Sequence, residues 1–239
     1  MTLFNEHKII LDLCGGTGSW SKPYKENGYD VRVIDPQEWL EDDYGTGDVR
    51  LFKKPKEQIY GVLAAPPCTH FSGSGARHWE KKGKEPLLEG LSVVDACLRI
   101  ILMTSPVFWC LENPVGRLKH YIGNCNHTFQ PYEYGDAYSK RTCLWGRFNM
   151  PEPTKIVEPE MVEYKSKTGE IKRMSKIHYE SFSLPKNERA RLRSITSPGF
   201  AKAFYEANSG KEKDYNCEIC RNEIFKVCNC KPVVNRQEN

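Results

Sequence analysis

Lys8-Ile9-Ile10-Leu11-Asp12-Leu13-Cys14-Gly15-Gly16-Thr17-Gly18 is the stretch on which the fold turns. Its first half is an aliphatic run of the kind that forms a strand buried on both faces. Its second half is a glycine-rich turn that lets backbone approach a ligand closely. A polar, helical stretch from Ser19 to Asn27 follows, then a second strand pattern, Tyr29 to Ile34, that ends at Asp35-Pro36. Strand, turn, helix and strand in that order predict an α/β fold, a mostly parallel sheet flanked by helices.

The same alternation continues downstream. A third short strand is expected before Asp48, and a fourth, Tyr60-Gly61-Val62-Leu63, stops at Ala64-Ala65-Pro66-Pro67-Cys68. Proline fixes φ and cannot extend a central ladder, so the two prolines present the Cys68 thiol at a strand's carboxyl end, the edge where open α/β sheets bind ligands. Leu87, Leu91, Val94, Leu98, Ile101 and Leu102 repeat at helical spacing after Pro86 and predict a helix over Leu87–Thr104. Val107 to Leu111 is a fifth buried strand that ends at Glu112-Asn113-Pro114. After Phe148 the texture changes: Pro151 and Pro153 break the pattern, and Lys167-Thr168-Gly169-Glu170 reads as a hairpin turn between short strands. Lys186 to Arg193 and Phe200 to Ala207 are helical, the latter able to pack back on the sheet, and from Gly210 a charged run leads to a cysteine-rich tail.

With 239 residues, of which 39% are hydrophobic, the chain has material for one main core and a small appendage. No apolar run reaches the roughly 20 residues that span a bilayer, and the start lacks the basic and apolar regions of a secretory signal, so a cytoplasmic protein with no membrane contact is expected. The net charge of +4 is small but uneven. Lys165, Lys167, Lys172, Arg173 and Lys176, followed by Arg189, Arg191 and Arg193, suit either a solvated face or a surface that tracks phosphates.

The ten cysteines form two populations. Six are scattered, whereas Cys217, Cys220, Cys228 and Cys230 stand as C-x-x-C and C-x-C, a spacing that can close around one tetrahedral zinc; unliganded thiols or a poorly ordered tail are the alternatives. Gly15, Gly16 and Gly18 together with Asp35 at the next strand end supply a nucleotide-type cradle and a ribose acceptor. Their G-G-x-G spacing with Asp12 on the strand is closer to methyl-donor sites than to dinucleotide or Walker-type ones. Asp48 is a candidate adenine-side contact of the same ligand. Glu112 falls near Cys68 if the fourth and fifth strands are neighbours, where desolvation would raise its pKa and suit it to protonate a ring nitrogen; capping a helix start is the other use of Glu-Asn-Pro. Arg141 leads into an apolar strand and, taken alone, reads as a surface arginine.

In this order the pieces resemble the DNA (cytosine-5) methyltransferases. Leu11 to Gly18 looks like their first motif, and Asp35 and Asp48 fall where their second and third supply cofactor contacts. Pro66-Pro67-Cys68-Thr69-His70-Phe71-Ser72 looks like their nucleophile loop, Leu111-Glu112-Asn113-Pro114 is similar to their Glu-Asn-Val motif, and Gln130 with Lys140-Arg141 is similar to their Gln-Arg-x-Arg segment. The likeness covers residues 8 to 145, with a weaker match from Glu188 to Asn208, and the compact form is most similar to phage- or prophage-encoded members.

The resemblance implies a Rossmann-like class I methyltransferase fold that binds S-adenosylmethionine through Asp12, Gly15, Gly16, Gly18, Asp35, Asp48 and Pro66. It implies a monomer acting on a cytosine flipped out of duplex DNA, with Cys68 as nucleophile, Glu112 at ring nitrogen 3 and Arg141 at the carbonyl oxygen. Residues 1–147 would be the catalytic and cofactor-binding core, 148–185 a short target-recognition segment, 186–209 a helical segment completing the core, and 210–239 the linker and zinc-knuckle-like tail. Cys14, Thr69, Pro114 and Ser139 depart from the family pattern, and the short 148–185 segment implies short or relaxed target specificity. The same thiol chemistry serves cytosine in RNA or in a free nucleotide, and a catalytically silent nucleic-acid-binding protein of this fold is the reading from another class.

Overall fold

The computed structural model describes residues 5, 7–36, 47–166 and 169–210. A six-stranded sheet carries the strands β1 (Ile9–Leu13), β2 (Asp30–Ile34), β3 (Ile59–Ala64), β4 (Phe108–Pro114), β5 (His127–Phe129) and β6 (Thr142–Arg147) in the order β2-β1-β3-β4-β6-β5. Strands β2, β1, β3 and β4 run parallel, while β6 pairs antiparallel with both β4 and β5. A second, two-stranded antiparallel sheet pairs β7 (Met161–Lys165) with β8 (Ile171–Ser175). The helices are α1 (Lys22–Glu26), α2 (Trp79–Lys82), α3 (Glu85–Thr104), α4 (Lys119–Ile122), α5 (Lys176–Glu180), α6 (Lys186–Ser194) and α7 (Pro198–Asn208).

Every residue of β1 is buried, as its unbroken apolar run requires. Successive strand residues face opposite layers. Leu11, Leu13, Val62, Ala64, Trp109 and Leu111 pack toward Val94, Cys97 and Ile101 of α3. Ile10, Leu63, Phe108, Cys110 and Leu144 pack toward Tyr24 of α1 and Phe200 and Phe204 of α7. Phe200 stacks on Phe129 with centroids 3.6 Å apart, an arrangement that adds about 1 kcal/mol to the burial itself. The expected return of the Phe200–Ala207 helix onto the sheet is thereby met.

The strand foreseen before Asp48 belongs to a stretch of which residues 37–46 lie outside the described set; Asp48 itself caps a 3₁₀ turn, Val49–Leu51, by accepting from the Arg50 N–H. One expectation changes. The fifth strand does not stop before Glu112: β4 runs through to Pro114 because β6 supplies partners as far as the Pro114–Thr142 pair. Glu112 is therefore a strand residue and caps no helix. The hairpin foreseen about Lys167-Thr168-Gly169-Glu170 exists as β7–β8, with residues 167 and 168 outside the described set. The zinc-type cluster foreseen at Cys217, Cys220, Cys228 and Cys230 lies wholly outside the described residues.

Candidate active site

The sheet order reverses at β1, whose neighbours are β2 on one side and β3 on the other, so a crevice opens outside the carboxyl ends of these strands. Because β1 to β4 are parallel, the Cys14–Gly18 turn, Asp35, Cys68 and the end of β4 all come to that one edge. The sheet's connectivity, rather than any local contact, collects the residues.

The turn after β1 is left-handed at Cys14 (φ 56°), Gly16 (φ 52°) and Gly18 (φ 65°). Asp35 accepts the Gly16 N–H at 3.1 Å, which ties the end of β2 to the turn. Beneath it Asp12 is fully buried, and its carboxyl fills the space a Gly15 side chain would take. Its Oδ2 accepts from the Ser21 hydroxyl at 2.6 Å, whereas Oδ1 has no hydrogen-bond partner among the described residues. Burial pushes the Asp12 carboxyl up to about 7, with Ser21 opposing and Asp35 adding to the rise. The Cys14 thiol turns toward Cys97 of α3, and that thiol–thiol hydrogen bond, with burial, drives it far above its usual range. Asp48 is engaged elsewhere: Arg50 binds it at 2.6 Å, bridges on to Glu89 at 2.6 Å and holds the Asp48 carboxyl below its usual range.

The nucleophile loop is fixed by backbone. Pro66 is buried, while Pro67, Cys68 and Thr69 are exposed. Asn113 of β4 donates through Nδ2 to the Pro66 carbonyl at 2.9 Å, joining the ends of β3 and β4. Both Phe71 and Ser72 donate their N–H groups to the Cys68 carbonyl at 2.9 Å, making a short 3₁₀ turn. The chain beyond β4 then grips the loop: Gly73 N–H donates to Val115 and Arg117 N–H to Phe71, each at 2.9 Å. Gly116 lies so close to the Phe71 carbonyl that no Cβ fits there. Arg117 also donates through Nε to the His70 carbonyl at 2.7 Å and covers the Trp79 ring at 4.5 Å. Gly116 and Arg117 carry no signal in the sequence, and the role of Asn113 within its motif is not legible there, because the Asn113 and Arg117 contacts each join segments 47 residues apart.

Glu112 is 7% exposed, and burial raises its carboxyl above the usual range, with Lys140 opposing. The Cys68 thiol is raised by the protein packed around it and then by Glu112, while Lys140 and Arg193 lower it. Its solvent-exposed surface leaves it reachable all the same. The structure thus brings Cys68 and Glu112 together. Arg141 is exposed and its charge acts on Cys143. The Lys140 N–H and the Ser139 hydroxyl both donate to Gln130 Oε1, at 3.0 and 3.1 Å. Beside them lies a cleft of about 270 Å³ lined by Tyr138, Lys140, His178, Arg193, Ile195 and Pro198. Burial, then Arg193 and Lys140, push His178 down to about 4. The β7–β8 hairpin is docked next to this cleft: Ser175 Oγ accepts the Ser139 N–H at 2.8 Å and donates to the Ser139 carbonyl at 3.1 Å.

Among the described residues no group of three or more His, Cys, Asp and Glu side chains is placed to hold a metal ion, and no helix is long and apolar enough to cross a membrane. No family model matches the chain, and no curated protein matches it. Among solved structures, a candidate DNA modification methyltransferase encoded within a prophage of E. coli matches 63% of this chain and 52% of its own, at 16% identity and a TM-score of 0.43. The chain spans about half the length of that protein, and a likeness this low carries no weight for activity.

Proposed function

We propose that this chain is an S-adenosylmethionine-dependent methyltransferase that modifies carbon-5 of cytosine in DNA. The observation that carries the proposal is the pairing of an exposed thiol, Cys68, with a buried strand carboxyl, Glu112, across the joined ends of β3 and β4, one strand away from a left-handed glycine turn. An amino-group methyltransferase has no use for a thiol at this position, because only the poorly nucleophilic carbon-5 needs a covalent adduct.

The crevice fits the methyl donor. Gly16 and Gly18 leave backbone open to a ligand, Asp35 stands at the end of β2 for ribose hydroxyls, and the unpartnered Oδ1 of Asp12 is a buried acceptor that a donor group can satisfy. When bound, S-adenosylmethionine supplies an electrophilic methyl group. The chain's own residues make carbon-5 able to take it. The Cys68 thiolate adds its electron pair to carbon-6 of the cytosine, forming an S–C6 bond, while Glu112 gives its proton to ring nitrogen 3 and receives the charge that the attack displaces. The burial that raises the Glu112 pKa favours the protonated carboxyl this step needs. After transfer, the carbon-5 proton leaves to water, the ring double bond re-forms with expulsion of the Cys68 thiolate, and the nitrogen-3 proton returns to Glu112. A base inside a duplex is out of reach of this edge, so the target must leave the stack. Lys165, Lys172 and Arg173 on the hairpin, Lys176 at the start of α5, and Arg191 and Arg193 on α6 offer the cations for the phosphate backbone.

The test is incubation with DNA and tritiated S-adenosylmethionine. Label at cytosine carbon-5 and a covalent adduct with 5-fluorocytosine DNA are expected; neither with DNA, but label in RNA or in free nucleotide, would move the substrate assignment.

A further inference from the structure

We propose that Lys140, and not the neighbouring Arg141, is the cation that this site places on the carbonyl oxygen of the target pyrimidine. The assignment rests on the cytosine reading above and follows from strand register. In the antiparallel β4–β6 pair, Glu112 lies opposite Leu144, Asn113 opposite Cys143 and Pro114 opposite Thr142. The ladder extends one step further, since Val115 N–H donates to the Arg141 carbonyl at 3.3 Å. Residues directly opposite share a face and faces alternate. Leu144 packs in the layer of α1 and α7, and Cys143 in the layer of α3. Glu112 and Leu144 therefore share one face, which Lys140 joins by parity, whereas Arg141 goes with Cys143 to the other.

The surroundings agree. Lys140 lines the cleft with Tyr138, His178 and Arg193, and its backbone is pinned to Gln130 at 3.0 Å. Its charge reaches both Cys68 and Glu112, the two groups that must meet the same ring, and Arg193 is the other cation acting on Cys68. When Cys68 sulfur adds to carbon-6, electron density moves onto the ring's carbonyl oxygen and nitrogen 3. Glu112 answers at nitrogen 3, and a Lys140 N–H donates to the oxygen without transferring its proton.

Two measurements separate this assignment from the cytosine reading. Site-resolved alkylation of Cys68 by iodoacetamide against pH needs no turnover: Lys140→Met removes a cation that favours the thiolate and moves the profile to higher pH, while Arg141→Met leaves it in place. In methyl transfer to DNA, Lys140→Met lowers kcat about 100-fold with cofactor KM little changed, and Lys140→Arg regains roughly tenfold of that loss. An unchanged alkylation profile and turnover in Lys140→Met, in a chain that still traps 5-fluorocytosine DNA, overturn the assignment alone. A shifted profile in a chain that never forms the adduct overturns the cytosine reading and the carbonyl role with it.

Discussion

Between Pro66 and Arg117 the crevice edge is held from several sides: Asn113 to Pro66, Gly73 to Val115, Arg117 to both His70 and Phe71, with Phe71 itself fully buried. The β7–β8 hairpin is made differently. The outward residues of β7 alternate with half-buried ones, Ile171 of β8 is 75% exposed, and the ion pairs of Arg173 with Glu163 and Lys172 with Glu170 lie at the surface. One region holds the loop that carries the sulfur by hydrogen bonds from several chain segments. The other displays cations on a frame that little packing constrains, as suits contacts to a phosphate backbone that carry position rather than sequence.

That contrast sets the sizes of the expected effects. Cys68→Ala is expected to lower methyl transfer by at least ~10⁴-fold and to abolish the 5-fluorocytosine adduct, with DNA binding retained in a gel-shift assay. The next effect is on stability. Asp12, held at about 7 instead of 3.8, keeps a proton when folded that the unfolded chain gives up between those values. The unfolded state thus binds fewer protons across that window, and stability falls as pH rises from about 4 to 7, by on the order of 4 kcal/mol, then levels off. In Asp12→Asn this slope is expected to vanish from urea midpoints measured against pH. Glu112→Gln should cost about 10²-fold in kcat, because the amide still meets nitrogen 3 but has no proton to give, with S-adenosylmethionine affinity by calorimetry unchanged. Gly116→Ala should cost about 2 kcal/mol in the unfolding midpoint and, by pushing Phe71 away, slow Cys68 alkylation. Smallest for the fold is Lys172→Glu with Arg173→Glu: within about 0.5 kcal/mol in stability, yet with weaker DNA binding and a salt slope shallower by about 2. A large stability loss in that pair would erase the contrast.

The sequence made the sheet legible because its signals are local. Ile9 to Leu13 has no polar alternation, the turn after it is glycine-rich, and two prolines end β3, so the edge that holds Cys68 could be placed without knowing the strand order. What depended on pairing was hidden. Glu-Asn-Pro reads as a helix entry until β6 is seen to pair as far as Pro114. Asp48 stands where a cofactor contact is expected, but Arg50, two residues on, bonds both its oxygens. Choosing between Lys140 and Arg141 requires the β4–β6 register, which no local pattern contains.

That register has an arithmetic consequence for how this segment can change. Between Ser139 and Thr142 each inserted or deleted residue would exchange which of two adjacent basic side chains looks into the crevice and which looks away. Related chains should therefore vary in length here only in steps of two, or else carry a compensating swap of the basic pair.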